Sequence, residues 1–348
     1  MERQQDKTGR AARRDDGKDG GAGSVAPAAM AAPAQEAAID PSLFTFADFD
    51  PNAGERVAYS NYSYWRSTMR VFLKNRVALF LLILLGSILA FTFLQPLLPG
   101  QLVPTKIYTD PATGMQFRNV PPGQQFWFGT NSIGQDLWSR IWSGTRTSLT
   151  IGLLVGLVEM LIGITYGALW GYVRRLDRAL TEVFNVLDNV PTTIILMLLA
   201  YILRPSFKTM VFAMCMTGWL GLARFVRNQI VIIRDREYNL ASRCLGTPTR
   251  RIILKNLLPY LVSVIMLQTA LSIPGTIGWE VFLTYIGLGL PVNIPSLGNL
   301  VNEGRLIMMS PELRYQLIFP TVVLSIITIS FYVLGNAFSD ASDPRNHV

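Results

Sequence analysis

Apolar residues along this chain come in long runs, separated by short stretches where arginine and lysine collect. Runs at about 77–95, 149–173, 183–203, 208–226, 258–286 and 316–338 are each long enough, at 1.5 Å per residue, to cross a hydrocarbon core of about 30 Å. The pattern predicts an all-α, polytopic membrane protein with six transmembrane helices. Pro96 and Pro99 close the first run. Pro191 falls inside the third and should kink it, while Pro274, Gly275 and Gly278 interrupt the fifth. The second run carries Gly163, Gly167 and Gly171, a four-residue spacing that lets helix backbones approach closely in a bilayer.

The cations set the orientation. Arg66, Arg70, Lys74 and Arg76 precede the first run, and Arg174, Arg175 and Arg178 lie between the second and third. Eight more, from Arg224 to Lys255, crowd the connection between the fourth and fifth, whereas the alternate connections carry few for their length. The positive-inside rule then puts both termini in the cytoplasm of a multi-pass protein of the cell membrane. Before the first run, residues 1–58 are polar, Ala/Pro-rich and low in large apolar groups, which reads as a disordered cytoplasmic tail. No apolar core follows the early charges, so the segment is not a secretory signal. Residues 59–76 mix Tyr62, Tyr64 and Trp65 with cations, as a helix lying in the interface would. A transmembrane domain follows at 77–340 and a short cytoplasmic tail at 341–348.

Composition narrows the function classes. Charged residues make up 16% of the 348, against about 25% in a soluble domain. The net charge of +8 sits beside the apolar runs, so it describes membrane topology and not a nucleic-acid groove. Cys215, Cys244 and the single histidine, His347, have no metal-ligand spacing, and the cysteines read as packing residues. Gly17-Lys18 lacks the rest of a phosphate-binding loop, so this chain should bind no ATP and need no cofactor of its own.

The connection between the fourth and fifth runs is the most informative segment. Helix-favouring residues run to Leu245, and Gly246 can take a positive φ and stop the helix. Thr247 can cap a second helix, with Pro248 at its first position. Ile252, Ile253, Leu257 and Leu258 then form an apolar face at helical spacing. The result is helix, glycine turn, helix beneath the membrane, a pattern that also fits an ordinary amphipathic surface segment.

This segment resembles the cytoplasmic loop of ABC-importer permeases, whose signature is Glu-Ala-Ala, three residues, Gly, nine residues, Ile-x-Leu-Pro. Ala241, Gly246, Leu258 and Pro259 match, while Leu240 stands where the acid would be and Asn256 where the isoleucine would be. Phe128-Gly129-Thr130-Asn131-Ser132-Ile133-Gly134-Gln135-Asp136-Leu137, Ser139-Arg140 and Gly144-Thr145-Arg146-Thr147-Ser148-Leu149 resemble a segment of peptide-type permeases, with Asn131 and Gln135 replacing an Asp and an Arg. Thr217–Arg227, Gly287-Leu288-Gly289-Leu290, Pro295-Ser296-Leu297-Gly298 and Asp340–Arg345 extend the likeness over residues 60–346. The chain is similar to the C-type permease subunit of oligopeptide and dipeptide importers, in its Gram-positive oligopeptide form.

The resemblance implies the type I ABC-importer permease fold and a peptide-transport role without enzymatic activity. It implies a second homologous permease, two cytoplasmic ATPase subunits that hold ATP and Mg, and an extracellular substrate-binding protein delivering peptide. Tyr238, Asn239, Leu240, Ala241, Ser242, Arg243, Leu245, Gly246, Thr247, Pro248 and Arg250 would form the coupling segment that docks on an ATPase, with alternating access as the consequence.

For the path itself, Gln268, Thr269, Ser272, Thr276 and Glu280 are candidates on the fifth run. The hydroxyls and amide can equally join neighbouring helices. Glu280 is either at depth and functional or near the outer end in water, and Glu159 and Asp188 pose the same question, Asp188 near the cytoplasmic end. Three alternatives stand beside peptide import: a same-fold permease for dipeptides, nickel or another small solute, an ion-coupled carrier or channel, and a membrane-embedded enzyme. A single tail histidine offers no relay, and no His/Cys/Asp constellation marks a catalytic centre.

Overall fold

The computed structural model describes residues 64–342, with side chains from residue 66. The tail at 1–58, the first residues of the interfacial segment and residues 343–348 lie outside the described residues. Helices account for the described architecture, and only isolated bridges, Thr109 to Gln116 and Thr130 to Asp136, add extended pairing. A short helix α1 (Tyr64–Lys74) leads into α2 (Arg76–Leu94), whose first turn is capped by Asn75 Oδ1 accepting from the Val77 and Ala78 amides. The long α3 (Leu137–Tyr172) follows, then α4 (Arg174–Asp188), α5 (Thr192–Leu203), α6 (Phe207–Thr217) and α7 (Trp219–Ile233). The chain continues through α8 (Glu237–Cys244), α9 (Thr249–Ile252), a π-helical turn at Ile253–Leu257, α10 (Leu258–Tyr285), α11 (Leu297–Leu306) and α12 (Tyr315–Ser342).

Among the described residues, five helical stretches are long and apolar enough to cross a membrane: Arg76–Leu97, Leu137–Tyr172, Phe207–Ile233, Thr249–Tyr285 and Tyr315–Ser342. The third expected run differs. It forms no continuous kinked span, because α4 and α5 meet at a 69° bend over Asn189–Pro191. Pro191 denies the helix an amide and pushes the preceding residue out of helical geometry, so the helix ends there instead of bending. Alone, the 12 residues of α5 reach only about 18 Å. A sixth crossing therefore requires the bent pair to act as one.

Two other boundaries move outward. The second helix begins at Leu137 instead of 149, capped by the Asp136 carboxylate, which accepts from the Ser139 amide at 2.8 Å. Its polar first turns are buried against protein, with Ser139, Arg140, Thr145 and Ser148 all inaccessible. The fourth runs on to Ile233, with a break at Gly218 between α6 and α7.

The spine of the domain is α3 against α7. The Gly163/Gly167/Gly171 stripe faces Leu222, Ala223, Val226, Arg227 and Ile230 of α7. A Cβ at Gly167 would lie 2.5 Å from the Ala223 carbonyl, so only glycine permits this approach. Ala168, Leu222, Val226 and Ile230 then form one core with Ile252, Ile253, Leu257, Leu261 and Ile265 from the segment leading into α10. The amphipathic α4 folds back on the end of α3, with Phe184 buried against Trp170 and Trp219. Trp170 donates to Thr181 at 2.8 Å and Tyr166 donates to the Leu180 carbonyl at 2.7 Å.

The stretch between α2 and α3 packs against the opposite end of the domain. Tyr315 reaches the Val120 and Thr130 carbonyls at 3.0 and 2.8 Å, and Gln316 donates to Asn119. Buried Arg140 donates to Glu303 of α11 at 2.6 Å and also to Gln135, tying the Asn131–Gln135 turn to both helices.

Candidate functional site

The segment from Arg234 to Asn256 adopts the expected helix, glycine turn and helix. The α8 helix closes in a Schellman arrangement, with the Thr247 amide donating to the Ser242 carbonyl at 3.1 Å and the Gly246 amide to Arg243 at 2.9 Å. Gly246 has φ +76°, the left-handed conformation that the motif demands. Thr247 does not cap the next helix: α9 begins at Thr249, its preceding residue is Pro248, and no side chain accepts from its first turn. The Schellman turn uses the Thr247 amide and sets the chain direction, so Pro248 takes the position before the helix.

Polar side chains fasten this unit to α7. Asn239 is fully buried and donates to the Ile233 carbonyl at 2.9 Å, a second bond to an oxygen that also accepts from the Arg236 amide at the end of α7. Asn256 approaches Asn239 Oδ1 and Ser242 Oγ, both at 3.4 Å. An isoleucine at 256 could make neither contact. Arg243 donates to the Arg234 carbonyl at 2.8 Å and to Asp235 at 2.9 Å, while Arg234 reaches the Gly171 carbonyl at the end of α3 at 2.7 Å. Asp235 thereby gathers Arg174, Arg234 and Arg243. The Arg243 hydrogen bond, helped by Arg234 and Arg174, holds its carboxyl below the usual carboxylate range.

The opposite face of α8 is bare. Tyr238, Leu240, Ala241, Cys244 and Leu245 are exposed, Leu245 at 85%, and Pro248 and Arg250 continue the surface past the turn. A polar anchor on one side and unpaired apolar side chains on the other describe a rigid knob held out from the helical body. Arg224 and Arg227, read from sequence only as topology markers, pair with Asp188 and Asp177 of α4.

The path candidates on α10 separate into three kinds. Ser272 and Thr276 line a recess of about 180 Å³ together with Glu159 of α3, Thr192 of α5, Met214 and Thr217 of α6, and Trp279. Gln268 and Thr269 lie outside its lining, Thr269 donating to the Ile265 carbonyl of its own helix at 2.9 Å. Glu280 reaches neither the recess nor water. It is 0% exposed, and its two oxygens accept from Ser148 of α3 at 2.8 Å and Ser296 at 2.7 Å. Those hydroxyls also accept from the Leu297 and Asn299 amides, so the carboxylate holds the N-terminus of α11 against α3 and α10. Water at the outer end, one of the two sequence readings for Glu280, is therefore excluded. The residue that sequence reasoning underrated is Glu159, whose proximity to Gly218 and Ser272 depends on helices far apart in the chain.

No group of three or more His, Cys, Asp or Glu that could hold a metal occurs among the described residues.

Comparison with known proteins gives concordant matches. The family of binding-protein-dependent transport system inner membrane components matches residues 160–348, and the N-terminal transmembrane domain of oligopeptide transport permease C matches residues 63–122. The chain is 36% identical over 312 residues to the oligopeptide transport system permease protein AmiD of Streptococcus pneumoniae, covering 89% of this chain and 99% of that one. It is 33% identical to the dipeptide transport system permease protein DppC of Bacillus subtilis, covering 84% and 89% of the two chains. With the oligopeptide permease OppC of the same organism it shares 32% identity over 85% and 96%.

Proposed function

Because this chain belongs to the family of binding-protein-dependent transport system inner membrane components, whose members are permeases and not enzymes, we propose that it is one permease half of an ATP-driven oligopeptide importer. In this reading it sits in the cell membrane with both termini in the cytoplasm and pairs with a homologous permease. Two cytoplasmic ATPases carry ATP and Mg, and an extracellular binding protein delivers peptide. The names of its relatives support the substrate class, oligopeptide before dipeptide.

The observation that carries the coupling role is the α8–Gly246–α9 knob. Its bare face, from Tyr238 to Arg250, suits a groove on an ATPase, and its inner face is bonded to the end of α7, where Arg234 in turn reaches the end of α3. Closure of the ATPase pair would push this knob as a rigid lever. The glycine-packed α3–α7 spine would carry the displacement to the recess around Glu159, opening it to alternate sides. Ser272 and Thr276 are the path residues retained from the sequence, and Glu280 is a brace for α11.

The test is reconstitution of the chain with its co-purifying partners in vesicles. ATP-dependent accumulation of a tetra- or pentapeptide is expected. Uptake that ignores ATP, or a purified assembly without an ATPase, would overturn the proposal. A peptide-length series, from dipeptide to hexapeptide, separates the oligopeptide reading from the dipeptide one.

A further inference from the structure

Glu159 is a carboxylate without a cation. It lies on α3 about 20 Å from the Tyr172 end, measured along the helix, and is 8% exposed. None of the residues lining its recess is Lys, Arg or His, and among the described residues no ion pair involves it. The approach is built for it: a Cβ on Gly218, at the break between α6 and α7, would collide with its Oε1. Glycine at that break therefore leaves room for the acid.

The donors around the carboxylate are neutral: the Thr192 and Thr217 hydroxyls and the Trp279 indole N–H line the recess, and no cation does. The Thr276 hydroxyl donates to the Ser272 carbonyl at 2.9 Å, so it offers the recess only acceptor lone pairs. The Ser272 hydroxyl donates to the Thr269 carbonyl at 2.9 Å, so its proton is engaged within α10. Trp279 adds a partly exposed indole, whose face attracts cations. A cavity of about 180 Å³ holds a small group and no more than one or two residues of a chain. A carboxylate, hydroxyl acceptors and an aromatic face converge on one ligand chemistry, an ammonium group with several N–H donors.

We propose that Glu159, with Ser272, Thr276 and Trp279, forms an ammonium-recognition site that makes this permease select substrates carrying a free amino group. The inference rests on the peptide-import reading. It goes beyond that reading by assigning a specificity determinant within the path. An α-amino terminus and a lysine side chain supply the same ammonium.

The experiment measures binding of fluorescent alanine-based tripeptides to the complete permease–ATPase complex in nanodiscs, with the binding protein omitted so that its own selectivity does not enter. Three peptides are compared, one with a free N-terminus, one N-acetylated, and one N-acetylated with an added lysine. Wild type is expected to bind the free peptide about tenfold or more tightly than the acetylated one, as a charge-assisted bond would give. In Glu159→Gln that ratio should fall to near one, while Glu159→Asp should keep a reduced preference. Recovery of affinity by the lysine peptide assigns the site to any ammonium, and its absence assigns it to the peptide terminus; either supports the site. Equal wild-type affinity for free and acetylated peptides, or an unchanged ratio in Glu159→Gln, overturns it. If Glu159→Gln fails to assemble, the wild-type ratio and the Asp variant decide. Failure of every peptide to bind, with no ATP-driven uptake, would instead sink the import reading beneath it.

Discussion

Glu280 offers a quantitative test of what its carboxylate does. Its oxygens accept two hydroxyl hydrogen bonds in a fully buried setting. Glu280→Ala leaves Ser148 and Ser296 without an acceptor, and each buried unsatisfied group costs about 1–3 kcal/mol, giving roughly 2–6 kcal/mol in all. Glu280→Gln keeps the volume and one acceptor oxygen. Its amide nitrogen must face a hydroxyl that already accepts from a backbone amide, so about 1–2 kcal/mol is lost. The expected order of thermal stability, read by tryptophan fluorescence of the purified complex in detergent, is wild type, then Gln, then Ala. Transport should track the fraction of assembled complex. A Glu280→Ala protein that melts with wild type yet transports nothing would refute the brace and return Glu280 to the path.

Three further outcomes follow from the same geometry. Gly246→Val meets no neighbour, because nothing lies within 4 Å of a Cβ there, but it must adopt φ +76° at about 1–2 kcal/mol; ATP-driven uptake should fall by about five- to thirtyfold, whereas Gly246→Asn should stay near wild type. Gly167→Val drives a side chain into the Ala223 carbonyl and should cost more than about 1–3 kcal/mol, visible as loss of the monodisperse complex on size exclusion; Gly221→Ala, with open space at its Cβ, is the matched control and should be silent. Asp235 has a folded pKa below its unfolded value of about 3.9, so its stabilisation is present above that value and disappears as pH falls through the folded one. Its side chain is 43% exposed and solvent screens the pairs, so the effect is small: Asp235→Asn should raise tryptic cleavage in the α7–α8 connection a few-fold, and wild-type cleavage should be flat between pH 5 and 8 once corrected for protease activity.

The apolar runs and the loop chemistry were legible because both are local. A 19-residue helix whose one charge is Arg76 at its start, as in α2, declares itself, and Gly246 ahead of Pro248 announces a helix stop. The misreadings have non-local causes. The polar first turns of α3 look like loop from hydropathy, yet Arg140 finds Glu303 from 163 positions away and Ser148 finds Glu280 from 132. The break at Asn189–Pro191 is signalled by the proline, but the 69° bend depends on α4 packing back onto Trp170. Glu159 and Glu280 look alike in sequence, each an acid in an apolar run, and only the three-dimensional neighbours separate an open recess from a sealed brace. Asn256, a departure from the family pattern, acquires a reason once Asn239 and Ser242 stand beside it.

In the proposed assembly the outward face of α8 meets an ATPase. Cys244 lies on that face, exposed, and Cys215 is the other free cysteine among the described residues. A short thiol-to-amine cross-linker applied to the intact complex, with Cys215→Ser to leave one reactive thiol, reads the neighbour of α8 directly. The expected result is a covalent product between this chain and an ATPase subunit, identified by mass spectrometry and changed in yield by ATP. Capture of the extracellular binding protein, or no ATPase product from a complex that hydrolyses ATP, would contradict it.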